Sequence, residues 1–288
     1  MTAATTASLK DRLVLLGICS DENSSYMRGA AEAPALIRAA LYGKSANLTS
    51  ETGISLSNTP RFIDRGDIIV GNGMRPFMYI DRQVSEIIHD GALPLVLGGD
   101  HAITYLILRA LSRQYGKMSI LHFDAHPDLY DELDGSRLSH ACPFARIMEE
   151  GLAKRLVQVG IRTMNAHQKA QAERFGVEIH EMRFFDSRSF DPVFTEPVYL
   201  SFDMDALDPA YAPGVSHFEP GGLSVRDVIS IIHKVQAPII GADIVEYNPK
   251  HDVHNMTAMV AAKLVKEIGG MILKNTSYVS SGEQCNEA

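Results

Sequence analysis

The sequence contains no tryptophan and only three cysteines, Cys19, Cys142 and Cys285, in 288 residues. They are odd in number and far apart, so neither a disulfide framework nor a zinc ribbon can be built from them, and a reducing compartment is indicated. No apolar run approaches the ~20 residues of a membrane span. The Ser/Thr/Ala-rich start, MTAATTASLKDR, faintly resembles part of a transit peptide, yet it is poor in arginine and already carries Asp11. It also lacks the apolar core of a signal peptide. Positive charge is scarce too: 27 Lys and Arg stand against 35 Asp and Glu, a net charge of −8. That balance excludes a non-specific binder of nucleic acid or of anionic membranes and is compatible with a small basic substrate drawn to an acidic pocket. These absences together lead to the expectation of a soluble, cytoplasmic protein.

What is present is the composition of a globular protein, 45% hydrophobic and 22% charged. Short apolar blocks rich in Val, Ile and Leu fall at 12–19, 94–98, 118–123, 156–161, 198–203 and 239–245, as expected of strands buried on both faces of a parallel sheet. Amphipathic segments at 32–43, 80–90, 102–114, 142–150, 165–175, 224–235 and 256–273 predict helices, with Ser224 as an N-cap. Alternating strands and helices imply a three-layer α/β/α sandwich around a central, mostly parallel sheet. With no linker and no repeat, residues 1–288 read as one domain with flexible tails at about 1–11 and 276–288, and the weakly periodic stretch 44–78 reads as a surface excursion.

Ligands bind at the carboxyl ends of strands in such sheets, and three apolar blocks end in chemistry. LVLGGDH places His101 after Asp100. ILHFDAHPD places Asp124, His126 and Asp128 at alternate positions, and YLSFDMDALDP places Asp203 and Asp205 two apart. In extended chain, residues two apart project to the same side. Four carboxylates in one pocket stay ionised only beside cations. Two divalent ions roughly 3.5–4 Å apart, bridged by carboxylates, would use all six ligands. The oxygen-rich set suits Mn²⁺ better than Zn²⁺. Gly98 and Gly99 are expected to let the chain turn tightly beside the ions. There is no GxGxxG fingerprint and no P-loop, so nothing supports a phosphoryl substrate.

The blocks LGGDHAITY, HFDAHPDLYDE and SFDMDALDPAYAPGVS resemble the signatures of the ureohydrolases, the family of arginases, agmatinases and related amidinohydrolases. NSSYMRGAAEAPALIRAA, SHACPFARIMEEG, GVSHFEPGGLSVRDV and GADIVEYNP are similar to the plant-type arginases. The resemblance implies one Mn²⁺ held by His101, Asp124, Asp128 and Asp203. It implies a second held by Asp124, His126, Asp203 and Asp205. It further implies His140 as the proton-shuttling histidine, Glu246 as the partner of the substrate guanidinium, and a trimer or hexamer of like chains. Ala141 departs from the glycine that many members carry after that histidine.

The function expected is release of urea from a small cationic guanidino substrate, L-arginine ahead of agmatine, with guanidino acids and formiminoglutamate open. Asp128 would relay a proton locally. Ser136, Arg137 and Ser139 are candidates for holding a substrate carboxylate, His217 for a pocket wall, and Glu219 for a structural role. A metal-bound protein without turnover would be marked by a missing ligand, and a one-metal deacetylase by fewer carboxylates. The set here is complete.

Overall fold

The computed structural model describes residues 11–70, 75–116 and 118–282. Eight strands form one sheet: β1 (Leu13–Cys19), β2 (Phe62–Ile69), β3 (Leu93–Leu97), β4 (Ser119–Phe123), β5 (Arg155–Ile161), β6 (Glu178–Glu181), β7 (Val198–Asp203) and β8 (Ile239–Val245). Their order is β2-β1-β3-β8-β7-β4-β5-β6, and every pairing is parallel. Seven helices join them: α1 (Ala33–Leu41), α2 (Arg75–His89), α3 (Ile103–Tyr115), α4 (Pro143–Glu149), α5 (Ala166–Phe175), α6 (Val225–Lys234) and α7 (Met256–Gly282). They pack as two groups, α1, α6 and α7 in one and α2 to α5 in the other, which gives the three layers expected of right-handed crossovers on a parallel sheet.

Every residue of β3, β4, β7 and β8 is buried, because helices cover both faces. Each fully buried Leu, Ile or Val there contributes roughly 1.5–3 kcal/mol. Helix α6 starts at its expected cap: the Ser224 side chain accepts from Asp227 N while Asp227 reaches back to Ser224 N, and Val228, Ile229, Ile231 and Ile232 face the core.

Three expectations need correction. The stretch 44–78 is more than an excursion, since it contains the edge strand β2 and the first turn of α2. Strand β6 was missed altogether. Helix α7 continues to Gly282, so residues 276–282 are helical rather than a frayed tail. Of the two tails expected at about 1–11 and 276–288, positions 1–10 and 283–288 lie outside the described residues. Among the described residues no helix is long and apolar enough to cross a membrane.

Candidate active site

The chain leaves β3 for β4 across a gap that β8 and β7 later fill, so the site-bearing strands β3, β8, β7 and β4 become neighbours at the centre of the sheet. The register aligns their ends: Leu97 pairs with Ile244, Asp203 with Val245, and Phe202 with Phe123. His101, Glu246, Asp203 and Asp124 therefore emerge side by side at one edge. Glu246 (φ 61°) and Asp128 (φ 50°) both sit in the left-handed region, a strained conformation for non-glycine residues that is found preferentially at functional sites. Glu246 is held there by two bonds, from its own N–H to Gly99 O at 2.8 Å and from His101 N–H to its Oε1 at 2.8 Å.

Around His101 three carboxylates close in. Nδ1 lies 3.3 Å from Asp124 Oδ2, 3.1 Å from Asp128 Oδ2 and 3.3 Å from Asp203 Oδ2, yet it is buried and makes no hydrogen bond. The other face of the ring explains the arrangement. Ser201 Oγ donates to Asp243 Oδ1 at 2.7 Å and so accepts from His101 Nε2–H at 3.0 Å, which in the neutral ring leaves Nδ1 as the lone pair facing the carboxylates. Tyr199 and Thr104 hydroxyls also donate to the fully buried Asp243, locking this support. A bare nitrogen surrounded by carboxylate oxygens is a cation cage, oriented as metal-binding histidines usually are.

A second group adjoins the first. His126 Nδ1 is 3.3 Å from Asp124 Oδ1 and 3.2 Å from Asp205 Oδ2, and the ligand atoms of these three residues lie within 4.8 Å of one another. Burial opposes charge on His101 and His126, but the surrounding carboxylates hold both well above the usual imidazole range. Burial, with the charges of Asp205 and Asp124, pushes the Asp203 carboxyl well up, and burial with Asp124 raises Asp128 to about 6. The donor set therefore fits one or two hard divalent cations.

Beside this floor lies a cavity of about 200 Å³ lined by His126, Asp128, Asp203, Asp205, His140, Glu246 and His217, among others. His140 Nδ1 lies 3.1 Å from Glu246 Oε1. Burial disfavours its charge, but that bond and the nearby Asp128 and Asp100 raise it to about 9. His217 stacks on His140 at 5.7 Å, with its Nε2 buried and unpartnered.

The loop candidates are placed elsewhere. Arg137 is engaged by Asp131 at 2.7 Å and Glu149 at 2.8 Å, Ser136 Oγ accepts from Leu138 N, Ser139 Oγ accepts from Ala141 N, and none of the three lines the cavity. Leu133 and Tyr130 of the same loop do. Glu219 serves through its backbone carbonyl, which accepts from Arg162. The glycine expectation is also corrected. A Cβ at Gly99 would stand 1.7 Å from Ser20 O, just past β1, and one at Gly98 would strike Ile103 of α3 and Val245 of β8, so a side chain would clash as expected, but with this protein packing rather than with the ions.

Sequence reasoning missed two contributors. His122 Nδ1 accepts from Gln158 Nε2, whose amide also donates to Pro127 O, so its Nε2–H donates to Asp124 Oδ2 at 2.9 Å. Burial holds this ring neutral. It stands two residues before Asp124, in phase with the alternation that revealed the others. Ser25, whose Oγ is 2.9 Å from His140 Nε2, lies on a loop with no periodic signal.

The profile of the arginase family matches residues 11–270. The chain belongs to the arginase family. It is 47% identical over 278 residues to "Arginase 1, mitochondrial" of Arabidopsis thaliana, covering 90% of this chain and 81% of that one. To "Arginase 2, chloroplastic/mitochondrial" of the same plant it is 45% identical over 281 residues, covering 92% and 82%. The solved arginase of Medicago truncatula superposes with a TM-score of 0.87 at 42% identity, covering 91% and 87%. As a member of this family the protein is a ureohydrolase-type enzyme. The expectation of a cytoplasmic location is overturned, because both Arabidopsis relatives are named as proteins of mitochondria or chloroplasts. Cysteine scarcity reports a reducing interior, which an organelle matrix shares with the cytosol.

Proposed function

We propose that this arginase-family enzyme hydrolyses the guanidinium C–N bond of L-arginine, releasing urea and L-ornithine at a pair of Mn²⁺ ions in an organelle. The observation that carries the reading is His101 Nδ1, buried without a hydrogen bond and set 3.1–3.3 Å from three carboxylates, beside a cavity lined by Glu246 and His140. His101, Asp124, Asp128 and Asp203 would hold one ion and Asp124, His126, Asp203 and Asp205 the other, Asp124 and Asp203 being shared. When bound, the ions supply Lewis-acid activation of water near neutral pH. Glu246 presents a carboxylate to the planar guanidinium and fixes its orientation. His140 carries the proton that the departing amine needs, and Asp128 assists locally.

The plant relatives named arginases favour arginine as substrate. Agmatine is the second reading, favoured by one observation: among the described residues that line the cavity there is no lysine or arginine to pair with a substrate carboxylate. Urea release by the Mn²⁺-loaded enzyme, offered arginine, agmatine and 4-guanidinobutyrate separately with a chelated control, decides between them. Chelator-sensitive urea from arginine is expected. Urea from agmatine alone would transfer the name to the second reading, and no urea from any of the three would overturn the proposal.

A further inference from the structure

The segment between β1 and α1 runs along the cavity as a strap and contributes Ser25 to its lining. Asn23 N–H donates to Asp100 Oδ2 at 2.8 Å, and Asn23 O accepts from His140 N–H at 3.1 Å. Further along, Met27 O accepts from Ser216 Oγ at 2.9 Å and from Asn248 Nδ2 at 2.8 Å. Gly29 packs so closely on Asn248 that a Cβ there would stand 2.1 Å from its Oδ1. Between these anchors the strap sets Tyr26 against His217 at 5.6 Å and Ser25 against His140.

Both nitrogens of His140 are thereby engaged. Glu246 is a carboxylate and only accepts, so Nδ1 carries a hydrogen, and Nε2 faces Ser25 Oγ at 2.9 Å. When the ring is charged, Nε2–H donates to Oγ and the serine's own hydrogen is free. When the ring is neutral, Oγ–H donates to Nε2. A hydroxyl can make this reversal in place, and Ser25 itself lines the cavity. His217 lies beside the ring, its centroid 5.7 Å away and its plane tilted by 21°.

We propose that Ser25 is a catalytic residue, which passes the proton of His140 to the departing amine nitrogen. In one concerted step the Ser25 Oγ–H bond breaks as the N–H bond of the amine forms, and the His140 Nε2–H bond breaks as a new Oγ–H bond forms. One proton moves from His140 to the amine, the imidazole ends neutral with its hydrogen on Nδ1, and Ser25 ends as it began. The proposal rests on the reading of His140 as the proton source in guanidinium hydrolysis.

The test compares kcat, KM and bound Mn²⁺ for the Mn²⁺-loaded full chain and for Ser25→Ala, Ser25→Thr, His140→Asn and the double variant Ser25→Ala/His140→Asn. Removing one proton-transfer group should lower kcat about 10²-fold in Ser25→Ala, with metal content unchanged and KM within about twofold. Ser25→Thr, which keeps the hydroxyl, should recover most of the rate. The double variant should be no slower than His140→Asn alone, because both lie on one path. The rate against the deuterium fraction of the solvent should be curved in the parent, reporting two protons in flight, and straight in Ser25→Ala. An unaltered kcat in Ser25→Ala, beside a slow His140→Asn, overturns the relay alone. So do losses that multiply in the double variant, or a straight isotope plot in the parent. An unaltered kcat in His140→Asn overturns the relay together with the reading beneath it.

Discussion

The floor of the cavity comes from the ends of β3, β4, β7 and β8, strands in which every residue is buried. Its rim comes from loops around Ser25, Leu133 and His217, where side chains are exposed or half-buried. Floor groups are positioned by a hydrogen-bond ladder running across the sheet and by supports such as Asp243 under His101. Rim groups are positioned by a few local bonds, as Ser25 is by the strap. Groups whose geometry must hold within tenths of an ångström are thus on the sheet, and groups that can vary with the substrate's tail are on loops.

The largest expected effect lies in the floor. Asp203→Ala removes a carboxylate shared by both proposed cation positions, and should abolish both Mn²⁺ retention and urea release, measured by metal analysis of the dialysed protein and by assay. Full activity in this variant would break the contrast at its strongest point. His140→Asn stands between floor and rim, and is expected to lower kcat by about 10²–10⁴-fold while sparing metal content. The same residue gives a pH signature in the cation-free protein. Its folded-state value of about 9 lies above the ordinary 6.5. The stability it contributes is therefore complete below pH 6.5 and lost as pH rises through 9. Denaturant unfolding between pH 6 and 10 should show that slope in the parent and a flatter one in His140→Asn.

Gly99→Ala tests the scaffold behind the floor. Its Cβ would meet the backbone of Ser20, which cannot give way as a side chain can, and overpacking of this kind costs about 1–3 kcal/mol or more. The denaturation midpoint of the variant should fall accordingly. The smallest effect is expected at the rim. Arg137 is half-exposed and paired with Asp131 and Glu149, so Arg137→Ala should cost under about 1 kcal/mol of stability and change KM for arginine by less than about twofold. A KM raised tenfold would place that side chain on the substrate and redraw the rim.

A similar contrast separates the strands that could be read in advance from those that could not. Strands β3, β4, β7 and β8 are continuous apolar blocks because both faces are covered. At the two edges, β2 reads FIDRGDII and β6 reads EIHE, and apart from Ile69 their exposed residues, Asp64, Arg65, Asp67 and Glu178, carry charge. Polar edges discourage pairing with another chain, and they also erase the apolar signal that marks a strand. Arg38 on α1 secures β2 instead, bonding to Asp64 at 2.9 Å, to Gly66 O at 2.9 Å and to Asp67. Asp64 and Asp67 therefore mark an ion-paired edge, which sequence alone presents as a polar loop.

The sequence by itself determined the class of fold and the candidate metal ligands, because burial on both faces writes continuous apolar blocks and a two-residue period writes same-side projection. Asp124, His126 and Asp128 stood out through that period, as did Asp203 and Asp205, but the chain that brings them together is bent at 125–126, left-handed at Asp128 and 3-10 helical over Met204–Ala206 rather than extended. It took the closed fold to place β8 and β7 between β3 and β4, which brings Glu246 beside His101, 145 positions apart in the sequence. That fold alone turned Arg137 onto Asp131 and set Ser25 on His140. Such contacts depend on where loops land once the sheet has closed, and loop residues carry no period from which that landing point could be read.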